Sequence, residues 1–212
     1  MKRQKKSNCK ILLSTSSDSL LQAATIIRAG GIVAIPTETY YGLAVNPFNE
    51  QALRRLFKVK QRPSTKPVLV LIDNKDRLKD LISDFPLSYQ KLCNAYWPGP
   101  LTLLFPALPH LNSLLTGATS TIGVRISSCR TATELCRAVD LPITATSANI
   151  SGKTPASTAA EVMDCLGGEI DLLIDGGRLE SKGCSTIIAE RDGNIHIKRQ
   201  GIIDLSTLSA TD

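Results

Sequence analysis

The chain has no C-x-x-C pair and only two histidines, His110 and His196. Its six cysteines stand apart at positions 9, 93, 129, 136, 165 and 184. A zinc cage or a disulfide framework needs closer spacing, so reduced and mostly buried thiols are expected. No run of about 18 apolar residues occurs, which excludes a membrane-spanning helix. The basic N-terminus carries no apolar signal-type stretch before residue 20. A cytoplasmic location is therefore expected. The phosphate loop G-x-x-x-x-G-K-[ST] and the turn G-x-G-x-x-G are both missing. So are a nucleophile elbow and a Cys/His arrangement; Cys184 precedes Ser185-Thr186 with no histidine near in sequence.

What is present is globular. The chain has 212 residues, of which 42% are hydrophobic and 21% charged, enough for one sizeable core. The net charge of +6 is uneven. Lys2, Arg3, Lys5, Lys6 and Lys10 put five positive charges in the first ten residues, and the remainder is nearly neutral. Residues 1–14 read as a basic, solvated tail with at most weak RNA contact. Residues 15–203 read as one domain, and 204–212 as a short C-terminal tail.

Apolar runs alternate with helical patterns. Strands are expected at 32–35, 68–72, 101–105, 122–126, 143–146, 172–174, 185–189 and 195–199. Helices are expected at about 18–29, 50–59, 78–82, 88–96, 131–139 and from the Thr158-Ala-Ala-Glu161 capping box to Gly167. The alternation predicts an α/β domain with a twisted mixed sheet and flanking helices.

Three segments carry chemistry. Pro36-Thr37-Glu38-Thr39-Tyr40-Tyr41-Gly42 follows a buried apolar strand and concentrates polar groups in one turn. Such a turn serves either as a binding loop on a rigid scaffold or as a self-satisfied hydroxyl cluster. Arg54, Arg55, Lys58, Lys60, Arg62 and Lys66 place six cations in thirteen residues with no acid among them. Pro63 disfavours helix at Arg62, so an extended stretch would project Lys60 and Arg62 together, as suits a polyphosphate. Thr146-Ser147-Ala148-Asn149-Ile150-Ser151-Gly152 follows another apolar strand, and Ser147 and Asn149 again stand two apart. An Asx or Ser/Thr turn is the structural alternative there. Ser157 and Thr158 open a helix whose N-terminal N–H groups attract anions.

These segments resemble the YrdC/TsaC family of threonylcarbamoyl-AMP synthases. Besides the three already given, the resemblance rests on Trp97-Pro98-Gly99-Pro100-Leu101-Thr102, Thr121-Ile-Gly-Val-Arg125, Gly183-x-Ser185-Thr186-Ile187 and Lys198-Arg199-x-Gly201. It spans roughly residues 15–203 in order. Ala44, Tyr40, Gln61 and Gln200 depart from the residues usual at those positions, Gln61 standing where a glycine is common. The length resembles that of the short, single-domain bacterial type.

The resemblance implies a YrdC-like fold around a positively charged cavity. It implies that L-threonine, bicarbonate and ATP give threonylcarbamoyl-AMP and pyrophosphate, with a tRNA threonylcarbamoyl transferase taking the product. Lys60, Arg62, Ser147 and Asn149 would then act at the phosphates and carbamate. Thr37, Thr39, Arg125 and Ser185 would hold threonine. Lys58, Thr121, Ser157 and Arg199 would join Lys60, Arg62 and Asn149 around the nucleotide. Magnesium is expected with the phosphates, with no ligands named. The rival reading is an RNA-binding protein of the same fold without efficient synthase activity. A less active paralogue is a third.

Overall fold

The computed structural model describes residues 9–180 and 183–205. Its strands form two mixed sheets, where one was expected. The first has the order β1 (Lys10–Leu13), β9 (Leu172–Asp175), β2 (Val33–Ile35), β3 (Gly42–Ala44), β8 (Thr146–Ser147). The second has the order β11 (Asn194–Arg199), β10 (Thr186–Arg191), β5 (Leu101–Pro106), β6 (Thr121–Arg125), β4 (Val70–Leu71), β7 (Ile143–Thr144). The helices are α1 (Ser17–Arg28), α2 (Glu50–Lys60), α3 (Tyr89–Tyr96), α4 (Ser113–Thr116), α5 (Arg130–Val139) and α6 (Ala159–Leu166), with a 3₁₀ turn at Lys75–Asp80.

The central strands are apolar on both faces because both faces are covered. Ile32 and Ala34 join one core cluster, while Val33 and Ile35 point into the other. The first cluster takes Leu53 and Leu56 of α2, Cys93 of α3, Val162 and Leu166 of α6, and the second sheet's Leu103, Phe105 and Val124. The other takes Ala23, Ala24 and Ile27 of α1 with Leu135, Cys136 and Val139 of α5. Cys93 and Cys136 are buried free thiols, and burial raises the pKa of both.

The two sheets share one run at their edges. Residues 143–147 form a single extended segment that changes partner at Ala145. Ile143 and Thr144 pair with β4 of the second sheet, whereas Thr146 and Ser147 pair with β3 of the first. Thr144, fully buried, ties the crossing together. Its N–H donates to Val45 O at 3.0 Å, and its hydroxyl accepts from Val45 N at 3.0 Å and donates to Leu43 O at 3.2 Å. Ala145 N meanwhile donates to Leu69 O at 3.0 Å on the other side.

Two further differences concern short elements. Lys10–Leu13 lies in the segment expected to be a solvated tail, yet it pairs in parallel with β9. Leu12 packs against the second core cluster, which holds the strand to the sheet. Residues 1–8 and 206–212 of the expected tails lie outside the described residues. The three-residue β3 was too short to show as a run beside the polar turn.

Thr144→Val keeps the volume and removes the hydroxyl. It strands Val45 N–H and loses the bond to Leu43, so urea unfolding should show a loss of about 1–3 kcal/mol.

Candidate functional site

A cavity of about 200 Å³ opens between the two sheets. The first sheet supplies the turn from β2 to β3 and the end of β8. The second supplies β5, β6, β10 and β11, and the segment from Arg62 to Leu69 closes one side.

Thr37 and Thr39 both line the cavity, and Glu38 between them turns away. Thr37 donates its one hydroxyl hydrogen to Tyr40 O at 2.7 Å. Thr39 therefore donates across the 2.9 Å contact between the two hydroxyls, and Thr39 N donates to Thr37 Oγ1 at 3.2 Å. Thr37 is saturated by these three bonds, whereas Thr39 keeps acceptor capacity for an amine or ammonium.

Arg125 reaches the cavity from β6 and is 3% exposed. Its Nη1 lies 3.3 Å from Glu38 Oε1, and its Nε has no hydrogen-bond partner among the described residues. Burial lowers its pKa, the Glu38 charge opposes that shift, and Arg199 adds to it. Arg199 is pinned through Nη2 to Ser185 O at 2.9 Å and to Ser185 Oγ at 3.0 Å. Ser185 Oγ also lies 3.0 Å from Thr102 Oγ1, which links the residue before β10 to β5.

The expected side-by-side projection of Lys60 and Arg62 is not what forms. Lys60 is the last residue of α2, and Gln61 caps the helix in the left-handed region at φ 49° and ψ 43°. Strand-like alternation therefore never starts. This conformation also suits the glycine common at that position better than a side chain. Lys60 is 1% exposed and does not line the cavity. Its ammonium donates to Ser147 O, to Asn149 O at 2.8 Å and to Asn149 Oδ1 at 3.0 Å. Three oxygens match the three N–H groups of the charged form, and the helix C-terminus favours a cation there. Burial, followed by the nearby Arg62 charge, pushes its pKa down to about 7. Arg62 does line the cavity, steadied by bonds to Lys66 O at 3.1 Å and Pro67 O at 2.7 Å.

Asn149 is a bracket. Its Oδ1 accepts from Ser147 Oγ at 2.7 Å and from Lys60, and its Nδ2 donates to Lys153 O. Ser147 lines the cavity and Asn149 stands behind it. Lys58 is exposed on α2 and away from the cavity lining. Thr121 bonds Thr119 at 2.8 Å and is likewise not a lining residue. Ser157 gives its N–H and hydroxyl to Glu161 Oε2 at 2.7 and 3.1 Å, so this helix start is occupied by its own capping box. The motif reading assigned no role to Thr102, although it is the lone polar residue in an otherwise apolar strand run, and none to Thr146; both line the cavity.

The Sua5/YciO/YrdC family model, described as telomere recombination, matches residues 25–201. The chain belongs to that family. It is 39% identical over 166 residues to the threonylcarbamoyl-AMP synthase of Pyrococcus abyssi, covering 78% of this chain and 49% of that protein. The chain thus spans about half the length of this curated relative. The structure of P. abyssi Sua5 complexed with L-threonine superposes with a TM-score of 0.89 at 33% identity, covering 95% of this chain and 59% of that one. Escherichia coli YciO shares the fold with a TM-score of 0.81 at 24% identity, covering 93% and 96% of the two chains.

The Lys60 ammonium gives a pH signature. The folded chain releases this proton near pH 7, and the unfolded chain near the ordinary 10.5. Between those values the unfolded chain binds more protons, so stability at this site rises with pH. Wild type should gain on the order of 2 kcal/mol relative to Lys60→Met between about pH 7 and about pH 9, measured by urea unfolding. A flat difference would place the titration elsewhere.

Proposed function

We propose that the chain joins L-threonine, bicarbonate and ATP to give L-threonylcarbamoyladenylate and pyrophosphate. The observation that carries this reading is the convergence of Arg62, Arg125 and Arg199 on one small cavity. Hydroxyls and the Cys184 thiol line most of the rest of its polar surface, and among the described residues no carboxylate lines it. Such a site suits substrates that bring their own negative charge. The names of the Pyrococcus relatives, a threonylcarbamoyl-AMP synthase and a Sua5 complexed with threonine, support the same reading.

The residues divide the work. Arg125 takes the threonine carboxylate, with Ser185 and Arg199 beside it. Thr39 accepts from the threonine amine, and Thr37 holds Thr39 in place. The amine nitrogen bonds to the bicarbonate carbon, and water leaves to give the carbamate. A carbamate oxygen then bonds to the α-phosphorus, and the bond to the bridging oxygen breaks as pyrophosphate departs with that electron pair. Positioning and charge stabilisation suffice for this chemistry, so no protein nucleophile is required.

Arg62 faces the phosphates, a charge-assisted contact worth about 1.5–3 kcal/mol. Ser147 joins it by turning its hydroxyl from Asn149 to a phosphate oxygen. Lys60 keeps Asn149 Oδ1 satisfied when that happens, so Lys60 and Asn149 act through Ser147. Magnesium enters with ATP as part of the substrate, since among the described residues no carboxylate lines the cavity to ligate it. The product passes to a separate transferase that acts on tRNA.

The basic segment offers little to the RNA-binding reading. Arg54 pairs with Glu50, Arg55 pairs with Asp171 at 2.5 and 2.9 Å, and Lys60 is buried.

Pyrophosphate release from ATP should require both threonine and bicarbonate. Release that is indifferent to either one would refute the synthase reading.

A further inference from the structure

Arg125 is held by a half-made ion pair. Glu38 Oε1 lies 3.3 Å from Arg125 Nη1, yet neither Glu38 Oε1 nor Arg125 Nε has a hydrogen-bond partner among the described residues. The other Glu38 oxygen, Oε2, accepts from the Ser127 hydroxyl. Ser127 is 2% exposed and sits two residues beyond Arg125, where it also accepts from Cys129 N at 3.1 Å. A carboxylate beside a buried guanidinium ordinarily pairs through both oxygens. Here a serine has taken one of them.

We infer that Ser127 and Glu38 are positioning residues that keep Arg125 half-paired, so that one edge of its guanidinium stays open to the substrate carboxylate. This rests on the assignment of threonine to the Arg125 end of the cavity. Glu38 supplies the resting counter-charge that a guanidinium only 3% exposed needs. Ser127 stops it from supplying too much. With both carboxylate oxygens free, Glu38 would close on Arg125 as an internal competitor for the same donors. The sequence pattern fits this division. Thr37 and Thr39 face the cavity, and the residue between them faces the arginine that the cavity shares.

The test is L-threonine binding by calorimetry beside steady-state KM values for threonine and ATP. Ser127→Ala should weaken threonine binding and raise its KM about fivefold or more, with KM for ATP changed less than about twofold. Ser127→Thr, which keeps the hydroxyl, should stay near wild type. The double variant Ser127→Ala/Glu38→Gln should regain threonine affinity, because a neutral amide competes poorly for a guanidinium. A merely structural Ser127 would change both KM values together and show no rescue. Should Ser127→Ala fail to fold, Glu38→Gln alone decides: threonine must bind at least as tightly as to wild type. Unchanged threonine affinity in folded Ser127→Ala, absent rescue, or weaker threonine binding in Glu38→Gln overturns the inference. Wild type that binds no threonine overturns the substrate assignment itself.

Discussion

The segment from Ile143 to Ser147 belongs to two sheets at once, and the site depends on that sharing. Its first half is the edge of the six-stranded sheet, and its second half is the edge of the five-stranded one. Thr144 fastens the crossing with its N–H and its hydroxyl. The cavity is lined from both sheets, and Ala145, Thr146 and Ser147 of the shared segment are among its lining residues. The Thr37–Gly42 turn is held to the same seam, since Tyr41 O accepts from Ala148 N at 2.7 Å. The two polar turns are thus neighbours because their strands are.

Charge around the cavity is managed in two ways. Lys60, Arg62 and Arg199 are held by neutral oxygens, mostly backbone carbonyls, which fix each cation without cancelling its charge. Arg125, the most buried of the arginines lining the cavity, is held by a carboxylate. Neutral partners leave the field of a cation available to an incoming anion, whereas a charged partner competes with it. The restrained geometry of Glu38 addresses that competition at Arg125, the cavity arginine whose partner is a carboxylate.

Much of this architecture was legible in the sequence. Apolar runs such as Ile32–Ile35 and Leu101–Phe105 had to be buried strands, and Thr158 and Glu161 form the reciprocal capping box that their spacing announces. Thr37, Thr39, Arg62, Arg125, Ser147, Ser185 and Arg199 all come to one cavity. The fate of Lys60 was not legible. It turned on Gln61 adopting a left-handed conformation that its side chain does not advertise. The pairing of Glu38 with Ser127 was hidden because its partners lie 89 positions apart in the chain. The division into two sheets was hidden because a strand that changes partner midway looks like any other apolar run.

The proposed division of labour gives one cavity an amino-acid end at Arg125 and a phosphate end at Arg62. The most direct measurement is calorimetric binding of L-threonine and of ATP to Arg125→Gln and to Arg62→Gln. Arg125→Gln should lose threonine affinity by about tenfold or more and keep ATP, and Arg62→Gln should do the reverse. Equal losses of both ligands in both variants, or no loss in either, would contradict the division.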